Sequence, residues 1–277
     1  MAGLACAENL PSSLSRWQAA VGGLAFPRDL YRPTVRLPQV TGEIERRLLV
    51  NYRVDPAALS GLLPPHLRPQ LVDGRAVAGI CLIRLGSLRP KGLPAALGLT
   101  TENAAHRIAV EWDDKDGTRT GVFIPRRDSD SRLTVLLGGR VFPGAHNGAR
   151  FTVEETKERL HVAFRADDGT VEVDVTAVIE PTLTGSGLFA DVDEASRFFE
   201  QGAIGLSPGR DLSRLETIRL STHAWRIEPC RVLACTSSFF EDSTRFAPGA
   251  AELDSALVMR KVPVVWDSLP GVAAIVV

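Results

Sequence analysis

The amino-acid sequence predicts a β-rich α+β fold: a curved or closed antiparallel sheet around a small-molecule cavity, with a few short helices. Three observations carry this. Runs rich in β-branched and aromatic residues, such as IERRLLVNYRV and AVAGICLIRL, recur along the chain. Tight turns, among them Asp73-Gly74, DDKDGT and Asp168-Gly169, separate many of them. Helical stretches are few and short. Strands joined by tight turns pair antiparallel.

Composition bounds the rest. The 277 residues are 44% hydrophobic and 23% charged, an ordinary globular composition. A chain of this length buries a core without disulfides or metal staples. The 32 basic and 33 acidic side chains leave a net charge of −1, which argues against a nucleic-acid partner. No apolar run is long enough for a membrane helix, so no membrane partner is expected. The N-terminus lacks the positive and apolar regions of a signal peptide, and a cytoplasmic protein is expected. Cys6, Cys81, Cys230 and Cys235 form no CxxC pair, so buried, reduced thiols are expected. Only four of the basic residues are lysines: Lys91, Lys115, Lys157 and Lys261.

The elements follow in order, within one domain expected over 1–277. Residues 1–40 carry Pro11, Pro27, Pro33 and Pro38 and read as an N-terminal arm lying over the body. IERRLLVNYRV is a strand. Asp55 caps a short helix with Pro56 at its first position, and Pro64-Pro65 stop it. LVDGRAVAGICLIRLGSL is a hairpin turning at Asp73-Gly74. HRIAVEW and TRTGVFIPR pair across DDKDGT. Asp128 to Ser131 offer caps for a helix over RLTVLLGG. Three antiparallel strands run from His146 to Glu180, then a helix at DEASRFFEQGAI has an acidic first turn. LETIRLSTHAWRI, CRVLACTSSFF and LDSALVMRKVPVVW add further strands.

Motifs for nucleotide, serine-hydrolase, zinc or calcium chemistry are missing, and no cofactor or metal is expected. Two segments offer chemistry. TTENAAHR places Glu102 at a loop–strand junction before Arg107. There Glu102 is either a cavity acid–base group or a surface acid paired with Arg107. LLGGRVFPGAHNGARF puts Arg140 and His146 around a glycine-rich turn. Arg140 suits a substrate carboxylate and His146 a proton transfer, or else both serve a helix stop and turn.

The stretch LLVNYRVDPAALSGLLPPHLRPQLVDGRAVAGICLIRL, with Tyr52-Arg53, Asp55 and Leu63-Pro64-Pro65, resembles the opening of the acetoacetate decarboxylase-like superfamily. LGLTTENAAHR falls where those decarboxylases carry an active-site glutamate, here Glu102, and LLGGRVFPGAH where they carry paired lysines. The nearer resemblance is to the DUF2071 branch, over about Glu43 to Arg165. It implies a cone or barrel around an internal pocket, and it is compatible with a homo-oligomer. It also implies a departure. Gly144, Ala145 and His146 follow Pro143, with no lysine between residues 116 and 156, so the Schiff-base amine is missing. Classical acetoacetate decarboxylation is therefore not expected. The resemblance implies a lyase-like enzyme acting on an oxo acid or related carbonyl compound by enolisation, dehydration or cyclisation. Glu102 and His146 would be catalytic, and Arg107 and Arg140 would bind the substrate. A non-catalytic small-molecule binding protein is the alternative.

Overall fold

The computed structural model describes residues 39–138, 144–209 and 214–273. The expected N-terminal arm lies outside them except for Gln39 and Val40. Chain order is β1 (Val40–Val54), α1 (Pro56–Leu59), β2 (Arg68–Pro69), β3 (Leu71–Val72), β4 (Arg75–Pro90), β5 (Leu99–Asp114), β6 (Gly117–Ser129) and α2 (Arg132–Leu137). It continues β7 (Asn147–Glu155), β8 (Arg159–Ala166), β9 (Glu172–Ile179), α3 (Val192–Gln201), β10 (Ile204–Pro208), β11 (Arg214–Ser221), β12 (Glu228–Ser237) and β13 (Ala251–Ala273). Among the described residues no helix is long and apolar enough to cross a membrane.

Local chemistry accounts for the boundaries. The Asp55 side chain accepts from Ala57 N, and Pro56 opens α1. Asp73 (φ 46°) and Gly74 (φ 76°) are both left-handed, the turn a two-residue hairpin needs between β3 and β4. Asp191 accepts from Glu194 N at 2.8 Å, and Glu194 reaches back to accept from Ala190 N at 2.7 Å, so both sides of the α3 N-terminus are satisfied. Two expectations change. The strand read from His106 begins at Leu99 and takes in Glu102. Pairing is not wholly antiparallel: β6–β7 and β6–β10 run parallel, because a crossover rather than a hairpin leads into β7 and β10.

The sheet closes twice. Strands β13, β1, β4, β5 and β6 form a shared wall. The outer edge of β6 pairs with β10 at Val122 and Phe123, then with β7 at Asp128 and Ser129. The outer edge of β13 pairs with β12 from Ala256 to Val258, then with β11 from Val265 onward. One ring therefore closes through β7, β8, β9 and β12, and a smaller one through β10 and β11.

Each face of the wall meets a different interior. Along β1, Leu48, Val50, Tyr52 and Val54 join Val162, Phe164, Val173 and Val175 in the core of the larger ring. Arg47 faces the other way, toward Ile218 and Leu220 of β11. Leu49 and Val77 pack on Phe199 of α3, which covers the smaller ring beside the wall. Burial on both faces explains why these strands read as continuous apolar runs.

Candidate functional site

The smaller ring encloses a cavity of about 190 Å³. The wall register sets what faces it. One row runs Ser255, Asn51, Gly79, Arg107 from β13 to β5. The next row on the same face runs Leu257, Leu49, Cys81, Ala105, Arg127. The row beyond carries Arg47, Ile83 and Asn103. Period-two alternation thus brings Arg47, Arg107 and Arg127 to one cavity.

Arg107 is 2% exposed. Its Nη2 donates to Asn51 Oδ1, and Asn51 Nδ2 donates to Ser255 Oγ at 3.2 Å. The Arg107–Asn51 bond spans β4 at Gly79, where no side chain intervenes. Nothing larger than glycine fits there, because an added Cβ would lie 2.2 Å from Val50 O. The guanidinium carbon sits 4.7 Å from the Phe199 ring centre, within cation–π reach. Arg107 Nε and Nη1 have no hydrogen-bond partner among the described residues. Burial brings the guanidinium down to about 10, still cationic at neutral pH.

The other two arginines also hydrogen-bond neutral groups. Arg47 Nε donates to Cys81 Sγ at 3.3 Å, and Arg127 Nε to Ser207 Oγ at 3.0 Å. Burial brings Arg127 down to about 10, against the opposing influence of Cys81 and Glu216. Among the described residues none of the three arginines makes a salt bridge with a carboxylate, whereas exposed arginines such as Arg68, Arg119 and Arg165 do. The cavity is mainly apolar and carries excess positive charge, which favours an anionic occupant.

His146 lines the same cavity. Its Nδ1 lies 3.0 Å from Gly144 O, which can only accept, so Nδ1 carries the proton and Nε2 the free lone pair. Burial, then the Arg127 charge, pushes the imidazole down to about 3. Room for the ring comes from Gly138 at the end of α2, where a Cβ would sit 2.7 Å from Nδ1.

The predicted site residues therefore divide. Arg107 and His146 share the cavity. Glu102 does not reach it: its side chain points into the larger ring, where Arg46 Nη2 donates at 2.5 Å and Arg84 Nε at 2.6 Å. The Glu102–Arg107 ion pair, the alternative reading of Glu102, does not form either, because an odd separation along a strand sends two side chains to opposite faces. Arg140 lies outside the described residues. All four lysines are exposed, and none lines the cavity. The sequence reading missed Arg47, Asn51 and Arg127. Their signal was a polar side chain on one parity of an otherwise apolar strand.

Solved structures share this architecture at low identity. Acetoacetate decarboxylase from Legionella pneumophila subsp. pneumophila str. Philadelphia 1 superposes with a TM-score of 0.54 at 13% identity, over 90% of this chain and 94% of that one. The enduracididine biosynthesis enzyme MppR complexed with pyruvate superposes at 0.53 and 14% identity, over 90% and 93%. An acetoacetate decarboxylase-like enzyme from Sphingomonas wittichii RW1 superposes at 0.53 and 15% identity, over 89% and 100%. The fold is thus acetoacetate decarboxylase-like. No curated protein matches the sequence. Residues 41–258 match DUF2071, "Uncharacterized conserved protein (COG2071)", and the chain belongs to that family.

Proposed function

We propose that this chain is a lyase-like enzyme acting on a small oxo acid or related carbonyl compound bound in the smaller ring, without a Schiff-base lysine. The observation that carries the reading is the buried Arg107 guanidinium, which lines the cavity with two further arginines and has two nitrogens without a hydrogen-bond partner among the described residues. A charge in that setting is best satisfied by a carboxylate, which the planar fork can hold. The volume agrees: a cavity of about 150 Å³ holds benzene, so about 190 Å³ takes a comparably small acid. The pyruvate complex of MppR is consistent with this ligand class on this fold.

Arg107 holds the carboxylate. His146, neutral at pH 7 with a free Nε2, takes a proton from the carbon beside the carbonyl. The resulting enolate has no amine to delocalise into, so Arg127 and Arg47 stabilise it by charge. That suits enolisation, dehydration or cyclisation better than loss of CO2 from a simple 3-oxo acid. Arg140, from the same segment as His146, is proposed as a further carboxylate ligand. Glu102 is assigned an ion-pair role in place of proton transfer.

The test is proton NMR in deuterated buffer with a panel of 2-oxo and 3-oxo acids, alone and with aldehydes. Deuterium exchange or product formation is expected with the wild-type protein. It should fall by about tenfold or more in Arg107→Gln, the loss of one charge-assisted hydrogen bond. His146→Gln should lower exchange while leaving acid binding. Exchange that is indifferent to both substitutions defeats the assignment. A second reading, a binding protein without catalysis, is favoured by the lack of a lysine on the cavity. It predicts saturable acid binding with no exchange in any variant.

A further inference from the structure

We propose that Cys81 is the nucleophile of this cavity, its Sγ adding to the carbonyl carbon of a 2-oxo acid whose carboxylate Arg107 holds. This rests on the ligand class proposed above and adds a covalent step to it.

Cys81 occupies the middle of the wall on the cavity face. Leu49 and Ala105 flank it in its own row, and Arg127 lies one strand further on. Arg107 pairs with Gly79, two positions along the same strand, so it is a diagonal neighbour of Cys81. Arg47 is the diagonal neighbour from β1, and its Nε donates to Sγ at 3.3 Å. Diagonal positions on adjacent strands lie about 7–8 Å apart, within reach of long side chains. The thiol therefore shares its cavity with three arginines, of which Arg107 has two nitrogens without a hydrogen-bond partner among the described residues.

That arrangement selects the ligand. In a 2-oxo acid the carboxylate and the electrophilic carbon are adjacent, so a carboxylate on Arg107 brings the carbonyl toward the neighbouring strand and Cys81. Sulfur uses a lone pair to form an Sγ–C bond. The carbonyl π pair moves to oxygen, which takes the proton that the thiol gives up. The product is a hemithioketal, reached without any oxidant or reductant. It gives a tetrahedral adduct where a lysine would give an imine. The other described cysteines are not placed for this. Cys230 lies in the larger core, with burial pushing its thiol up to about 12. Cys235 faces Tyr52 Oη at 3.3 Å on that same side.

Three measurements on the full chain test this. Alkylation mapped by mass spectrometry should label Cys81 with iodoacetate about tenfold faster than with neutral iodoacetamide, with pyruvate protecting, and Arg107→Gln should abolish that preference. [2-13C]Pyruvate added to the wild-type protein should give a carbon resonance in the tetrahedral region that is missing in Cys81→Ser and Cys81→Ala. Calorimetry should show that Cys81→Ser still binds pyruvate. Pyruvate binding without an adduct, or labelling of Cys81 that ignores the probe's charge, overturns the inference and leaves the oxo-acid reading standing. No pyruvate binding in either protein removes both.

Discussion

Glu102 bridges Arg46 and Arg84 inside the larger ring, and Arg46 is 1% exposed. Removing the carboxylate leaves the buried Arg46 guanidinium with Glu155 at 3.6 Å as its remaining counter-charge among the described residues, a loss of about 3 kcal/mol. Glu102→Gln is expected to lower the urea midpoint accordingly while the folded protein still binds oxo acids. Loss of binding at unchanged stability would return Glu102 to the site. His106 makes the other residue-scale prediction. It is fully buried against Phe239 at 4.4 Å, and neither ring nitrogen has a partner among the described residues. Burial, then Arg126 and Arg245, pushes it down to about 3, and His146 is also near 3. In the unfolded chain both titrate near 6.5. Between those values the unfolded state binds protons that the folded state refuses. Stability is therefore complete above about 6.5 and falls as pH drops toward 3, by up to about 1.4 kcal/mol per pH unit for each histidine. His106→Leu removes one such group and its unpaired nitrogens. Its urea midpoint should exceed that of the wild type at pH 5 and fall less between pH 7 and 5; equal slopes for the two proteins would refute this.

At the scale of the element, β4 is constrained by backbone approach. Gly79→Ala puts a Cβ 2.2 Å from Val50 O, so β1 and β4 must part where Arg107 crosses to Asn51. The expected loss is about 2 kcal/mol or more, with weakened acid binding. Gly61→Ala meets nothing within 4 Å and should change stability by about 0.5 kcal/mol at most. Thermal melts of the two variants side by side decide it, and equal melting temperatures would remove the close-approach argument. The elements themselves were largely legible in the sequence. The Asp55-Pro56 start, the Asp73-Gly74 turn and the acidic first turn of α3 all act within a few residues, and all are observed. The start of β5 was not. Leu99 to Thr101 look like the end of a loop, and they become strand because β4 offers a pairing edge as far as Leu88.

For the whole molecule, the shared wall ties the two rings together. β1 pairs with β13 along its whole length, from Val40 opposite Trp266 to Val54 opposite Ala251. Neither ring keeps its edges paired if the other opens its side of the wall. Unfolding should therefore be one transition. Far-UV circular dichroism and the fluorescence of Trp112, in the larger core, and Trp266, on the cavity, should change together. Separate midpoints would show rings that unfold independently. A bound oxo acid should shift that single transition by about 2.7 kcal/mol at one hundred times its Kd.

Most strand positions, the turns, the β-rich class and the lack of lysine around His146 were determined by the sequence alone, because each depends on neighbouring residues. The division of the wall into two interiors was decided only by tertiary structure. Alternation along a strand separates Glu102 from Arg107 by local sterics. Which of them meets a cavity and which an ion pair depends on β7 and β10 leaving the outer edge of β6 toward opposite faces of the wall, and β12 and β11 doing the same at the outer edge of β13. Those partners come from distant parts of the chain, and no local pattern encodes which face they cover.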